Sequence, residues 1–180
     1  MKKLKLSLAE ITEIRKSVGD ACYLELESGY PYALVGPVSR CLFLVCGENV
    51  GPISQYILSS ENSTNYLSEL REGSKILSVS CTGETKDAVV KKSKVERTSC
   101  ILLKARCEDV FDDKSMPYYR PSEVSVFIQD SEESRLVNGD CRHASVRDLS
   151  RGSKVLVYTG LHGYGRHFGT GVENIELIEQ

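Results

Sequence analysis

No Cys-x-x-Cys pair occurs in this 180-residue chain, although it holds seven cysteines. A structural zinc site wants paired thiolates at short spacing, so none is expected. The cysteine number is odd, and the N-terminus MKKLKLSLAEI has neither a long apolar core nor a small-residue cleavage site. A secretion signal is therefore not expected, and reduced thiols in a cytoplasmic protein are expected over a disulfide framework. Cys22, Cys41, Cys46 and Cys100 sit in apolar runs and read as small buried hydrophobes. Long hydrophobic runs are missing too. LFLV at Leu42–Val45 and ILL at Ile101–Leu103 are far too short to span a bilayer. An excess of positive charge is absent: the net charge is −2, so no broad cationic field exists to hold nucleic acid. His143 and His162 have no partners at metal-ligand spacing, and no metal site is assigned from the residues. A long stripe of 3.6-residue period is also lacking; YLSELREG at Tyr66–Gly73 holds one or two turns at most.

What is present is two-residue alternation. Cys22, Leu24 and Leu26 alternate with Tyr23, Glu25 and Glu27, and Val124, Val126 and Ile128 alternate with Ser125, Phe127 and Gln129. KILSVSC, DAVVKKSKVE, SCILLKARC, KVLVY and NIELIE repeat the pattern, as strands with one buried face do. Turn formers separate them: Val18-Gly19-Asp20, Ser28-Gly29, Gly36-Pro37, Gly51-Pro52, Thr82-Gly83 and Asn138-Gly139-Asp140. The first stretch fits either period, since Leu4, Leu6 and Leu8 alternate while Leu4, Leu8 and Ile11 share a helical face. Lys86, Lys91, Lys92, Lys94 and Arg97 read as the wet face of a strand pair.

LSELREGSKILSV (67–79) aligns without gaps on VRDLSRGSKVLVY (146–158). Leu70, Gly73, Ser74, Lys75 and Leu77 fall on Leu149, Gly152, Ser153, Lys154 and Leu156. The expectation is one all-β domain over 1–180, barrel- or sandwich-like, built of short antiparallel strands. Its repeat units span about 56–107 and 124–180, with an inserted loop at about 108–123 carrying Tyr118-Tyr119-Arg120.

Candidate chemistry gathers at three places. In GYGRHFGTG, glycines including Gly165 and Gly169 enclose Arg166 and His167. A guanidinium suits a carboxylate or phosphate, an imidazole exchanges a proton near neutral pH, and glycines let backbone N–H groups approach an anion. The competing reading pairs Arg166 with Glu173 or Glu176 and leaves His167 on a backbone carbonyl. The stretch fits G-x-G-x-x-G only loosely, and a strand-like tail follows it instead of a helix, so a Rossmann site is rejected. Arg40 stands at the start of a strand, where it could meet an anion. Glu48, Asn49 and Gly51 surround a turn that Asn49 could fix by an Asx-type bond. Gln129, with Asp130 and Glu132, follows a strand and could hydrogen-bond a hydroxy acid or stand as a solvated turn.

Several blocks taken together resemble the C-terminal half of 3-dehydroquinate synthase II. They are ALVGPVSRCLFLV, NVGPI, YLSELREGSKIL, KSKVER, VSVFIQDSEESRLV, SVRDLSRGSKVLVY and GYGRHFGTGVENIELIEQ, in that family's order over nearly the whole chain. The resemblance implies NAD-dependent oxidative deamination and cyclisation of an amino-deoxy-heptulosonate to 3-dehydroquinate, in aromatic amino acid biosynthesis by the shikimate route. A sister branch forms 3-amino-4-hydroxybenzoate with a divalent metal. The family's VHSE is Val45-Cys46-Gly47-Glu48 here and its GPVH is Gly51-Pro52-Ile53-Ser54, so two histidines are replaced. The family's N-terminal catalytic half has no counterpart in the sequence. Implied partners are a small acidic metabolite and a separate N-terminal chain or a second copy. The alternative is a non-catalytic β-module binding a small acid or a protein.

Overall fold

The computed structural model describes residues 3–27, 32–38, 41–61, 63–107 and 123–159, together with the backbone of 166–167. Among these residues the chain is all β, as expected, apart from two short 3₁₀ turns at Leu67–Glu69 and Val146–Asp148. In chain order the strands are β1 (Ser7–Leu26), β2 (Tyr32–Val38), β3 (Cys41–Cys46), β4 (Asn49–Pro52), β5 (Tyr56–Ser60), β6 (Ser63–Tyr66) and β7 (Lys75–Val79). They continue as β8 (Thr85–Cys107), β9 (Glu123–Gln129), β10 (Arg135–Val137), β11 (His143–Ser145), β12 (Lys154–Tyr158) and β13 (Arg166–His167).

One hydrogen-bonded path runs β13-β6-β5-β2-β3-β12-β1-β8-β7, with β4, β9, β10 and β11 paired off it. Every described pairing is antiparallel except β13 on β6. The path curls on itself, since β7 at its end packs against β2 and β5. This follows from the burial of both sheet faces. One cluster gathers Ile11, Leu24, Phe43, Ile57, Leu103 and Ile128. A second, on the opposite face, gathers Leu34, Leu42, Leu44, Tyr56, Leu58 and Leu156. β3, with all six residues buried, serves both, which explains its uninterrupted apolar run.

Two strands are unusually long. β1 has 20 residues and β8 has 23, against a typical 3–10, and they pair from Ala9↔Cys107 to Leu26↔Val90. DAVVKKSKVE and SCILLKARC are therefore one strand, not two. Val18-Gly19-Asp20 is not a turn: β1 passes straight through it, with Gly19 opposite Thr98. Gly36-Pro37 likewise lies within β2, where the register shifts against β3 between Val35 and Val38. A Cβ on Gly36 would meet the Cys41 carbonyl oxygen at 2.7 Å, so close backbone approach, not a reversal, calls for glycine there.

The two aligned sequence blocks adopt matching local structure. Leu70 N–H donates to the Leu67 carbonyl as Leu149 N–H does to that of Val146. Ser74 Oγ accepts from Arg71 N as Ser153 Oγ accepts from Ser150 N. Gly73 and Gly152 both take positive φ, 91° and 96°. β7 and β12 then leave in the same way.

The cysteines divide. Cys22, Cys41, Cys46, Cys100 and Cys107 are free and buried, and four of them were expected so. Cys81 and Cys141 correct the expectation of reduced thiols throughout. They form a disulfide with Cα atoms 5.4 Å apart, joining the β7–β8 turn to the β10–β11 turn across 60 residues of sequence. Spacing along the chain gave no hint of it, because the turns meet only once the sheet has curled.

Candidate functional site

Asn49, Gly51 and Gln129 come together where β1, β4 and β9 meet. β4 lies antiparallel on β1, with Cys22 opposite Gly51 and Tyr23 opposite Asn49. Gly51 takes φ +106°, and a Cβ there would lie 2.6 Å from the Phe127 carbonyl oxygen and 2.7 Å from Gln55 Nε2. Glycine is thus required twice, by conformation and by space. Gln55, 1% exposed, donates from Nε2 to the Phe127 carbonyl at 2.8 Å and accepts from Phe127 N at 2.7 Å through Oε1. It was not singled out from sequence. A lone Gln after a Gly-Pro pair looks like a solvated turn residue, and only the approach of β9 gives it two backbone partners.

Gln129, also 1% exposed, donates from Nε2 to the Cys22 carbonyl at 3.0 Å, and its buried Oε1 has no hydrogen-bond partner among the described residues. Asn49, 8% exposed, donates to Ser134 Oγ at 3.3 Å. Its amide therefore ties β4 to the segment after β9, not to its own turn as an Asx bond would. All three act as cross-strand ties. Asp130 is held by Arg147, whose Nε donates to Oδ1 at 3.0 Å.

Glu48 faces the other way. Its backbone carbonyl accepts from Leu24 N, while its exposed side chain lines a depression of about 290 Å³ with Tyr23, Glu25, Lys92, Lys94 and Glu96. Lys94 Nζ sits 6.0 Å from the Tyr23 ring centroid and 3.8 Å from Glu96 Oε2. Burial and the nearby Glu96 carboxylate push the Tyr23 phenol above its ordinary value. Three carboxylates and two ammonium groups thus share one concavity, which suits a ligand carrying both charges.

Arg166 and His167 form β13, paired in parallel with Ser63 and Thr64 at the far end of the sheet path from β8. Arg40, Gly165 and Gly169 lie outside the described residues, as do Tyr118-Tyr119-Arg120 and His162. His143 Nε2 lies 2.9 Å from Tyr32 Oη and its Nδ1 lies 3.5 Å from Cys46 Sγ. Among the described residues no group of three or more His, Cys, Asp or Glu side chains is arranged to hold a metal ion. No helix among them is long and apolar enough to cross a membrane.

A dinucleotide asks for more than the described residues offer. They contain no helix N-terminus to receive a pyrophosphate. The depressions of about 290, 300 and 350 Å³ are at the small end of the ligand-cleft range. No NAD site is assigned from the described residues.

An all-β domain whose polar residues mostly tie strands together, with one charged concavity at its surface, is the class these observations define. Residues 10–180 match the 3-dehydroquinate synthase II C-terminal domain, and the chain belongs to that family. It is 32% identical to the 3-dehydroquinate synthase of Methanocaldococcus jannaschii over 99% of this chain and 50% of that protein. It is 31% identical to that of Methanococcus maripaludis strain S2 over 98% of this chain and 50% of the relative. It is 34% identical to that of Methanopyrus kandleri over 95% and 44% respectively. The chain thus spans about half the length of the curated relatives it matches. No solved structure matches it.

Proposed function

We propose that this chain supplies the C-terminal domain of a 3-dehydroquinate synthase II-type activity and works with a complementary N-terminal half. The match of residues 10–180 to that family's C-terminal domain carries the reading. The reaction implied is oxidative deamination and cyclisation of an amino-deoxy-heptulosonate, with NAD as acceptor. In this reading NAD is bound chiefly by the complementary half, and this domain's part is to hold substrate.

The substrate bears an amine and a carboxylate. The Glu48 concavity opposes both charges, Glu25, Glu48 and Glu96 facing the ammonium and Lys92 and Lys94 the carboxylate. In this reading Arg166, flanked by Gly165 and Gly169, binds an acidic group, His167 relays a proton, and Arg40 assists with the anion. Asn49, Gly51 and Gln129 shape the support beneath Glu48.

Thermal melting with shikimate-route acids, NAD and divalent metals tests this. A bound ligand raises the melting point, by about 2.7 kcal/mol of stabilisation at a hundredfold excess over Kd. The amino acid-bearing substrate is expected to raise it, and Glu48→Gln to abolish the rise without changing the melting point in buffer. No shift with any of these, and no NAD-linked turnover when the relative's N-terminal half is added, would overturn the reading in favour of a non-catalytic module. A shift requiring a divalent metal would point to the 3-amino-4-hydroxybenzoate branch.

A further inference from the structure

The β1–β8 ribbon has a bare waist, where Val18 is 59% exposed and Val95 52%. The lead-in to β1 is the opposite case, for it is strapped down. Leu4 is buried, and Leu6 and Leu8 pack against the same apolar cluster. Leu4 N–H donates to the Gly83 carbonyl at 2.7 Å, and Lys3 bridges to Glu84. Pairing with β12 begins only at Ser7. At the other end of this strap, a Cβ on Gly139 would lie 3.2 Å from Leu8 Cδ2. The strap therefore runs from the β7–β8 turn to the β10–β11 turn, and the Cys81–Cys141 bond joins those same two turns.

Each turn is built without that bond. Beside Cys81, Gly83 N donates to the Ser80 carbonyl, Ser80 N to the Glu84 carbonyl and Glu84 N to Ser80 Oγ. Around Cys141, Asn138 Oδ1 accepts from Asp140 N and Arg142 N, and Cys141 N donates to the Asn138 carbonyl. Neither β7 nor β8 pairs with β10 or β11 among the described residues. Opening the bond thus leaves two formed turns free to part. Cys141 is exposed and Cys81 half-buried, so a thiolate reaches Cys141 Sγ from solvent. Cys141 is also the one non-glycine among the described residues at positive φ, 61°, a conformation its surroundings must hold. Exposed disulfides at constrained positions are the ones that exchange. The five other thiols are buried, which confines exchange to this pair.

We propose that Cys81–Cys141 is a thiol–disulfide exchange site that fastens the N-terminal strap when oxidised and releases it when reduced. The reductant is a low-molecular-weight thiol. Its thiolate attacks Cys141 Sγ, the S–S bond breaks, and Cys81 leaves as a thiolate that takes up a proton. A second thiolate then attacks the reagent sulfur of the mixed disulfide, and Cys141 leaves and is protonated in turn. Two electrons and two protons pass to the protein, and the two reagent thiols become one disulfide. Closure is the reverse, with that disulfide as oxidant. Once the bond is open, the strap keeps only its own backbone bonds to Gly83 and Glu84 and its apolar contacts, on a turn no longer tied to the one beneath Leu8. Nothing in this device depends on which reaction the domain serves.

Hydrogen exchange of the folded chain in reduced and in oxidised glutathione tests this, with thiol alkylation read on the same samples. Without denaturant, reduced glutathione should open the bond and make Cys81 and Cys141 alkylatable while the buried thiols stay protected. Amides of residues 3–9 should then exchange about tenfold faster or more, and those of the fully buried β3 should not change. Returning the sample to oxidised glutathione should restore both readings. A Cys81→Ser, Cys141→Ser variant should show the fast exchange in either buffer, and the wild-type chain decides the matter if that variant does not fold. A bond that reduced glutathione leaves closed in the folded chain would overturn the proposal and make the pair a permanent staple. Opening with unchanged exchange over 3–9 would overturn it too, since the bond would then hold no strap. So would loss of protection in β3 together with the strap, which is unfolding and not a switch.

Discussion

Strand β1 lives in two environments within four residues. At Ala21 and Cys22 it is fully buried, roofed by β4 and held through the Cys22 carbonyl by Gln129. At Val18 it is bare on the same face that is buried at Cys22, two periods of the alternation later. The backbone pairing to β8 is the same in both places. What differs is whether a third strand arrives. Where β4 and β9 do, side-chain amides on backbone groups and a glycine under tight contact fix the geometry. Where none does, the ribbon is held by its own ladder and by exposed ion pairs that each contribute little.

The largest way to break the contrast is Gly51→Ala. Strain at φ +106° together with displacement of Phe127 and Gln55 should cost about 4 kcal/mol, read as a collapse of the urea midpoint. Reducing the Cys81–Cys141 bond should cost up to about 4 kcal/mol by the loop-entropy argument for a closure of this length. Melting with and without reductant checks it, and a Cys81→Ser, Cys141→Ser variant should be insensitive to reductant. Gln55→Leu removes both Gln55 bonds to Phe127 and leaves two partly buried backbone groups without them, at about 1–3 kcal/mol; denaturant titration measures it.

A pH titration reaches the buried thiols. Burial raises Cys41 far above its ordinary 9.0, with Cys107 adding to the effect, and burial raises Cys22 and Cys100 as well. Above pH 9.0 the unfolded chain loses these protons while the folded chain keeps them. Stability is therefore whole below pH 9.0 and falls as pH rises beyond it, by about 1.4 kcal/mol per pH unit for Cys41 alone. Cys41→Ala should flatten that slope. At the bare waist, Val18→Ser should change stability by less than about 0.5 kcal/mol, as expected of a surface site. A larger loss would mean that the waist is already covered in the isolated chain and would remove the contrast.

Much of this was legible from residues alone. Alternation in CYLELE and VSVFIQ marked strands, whereas LFLV showed only a run too short to span a bilayer, and its burial on both faces came from the structure. The Gly-Ser turn motif marked two similar corners, because a positive-φ residue followed by a hydroxyl acceptor is a local device. Family kinship was also in the sequence, since blocks in fixed order survive without reference to shape. Glycine as punctuation misled at Gly19 and Gly36, where the chain stays extended and glycine answers to a neighbouring strand. Asn49 and Gln129 were found as polar residues, but their partners were not, because Ser134 and the Cys22 carbonyl lie far along the chain.

By itself the sequence determined the β class, the strand faces, the buried thiols and the family, all of which depend on residue type and near neighbours. The tertiary structure alone decided the Cys81–Cys141 bond, the double grip of Gln55 on β9, the mixed-charge concavity at Glu48 and the uncovered face of the ribbon. Each of these is a meeting, or a failure to meet, between segments tens of residues apart. Short-range periodicity carries no information about which strands the curl of a sheet will bring together.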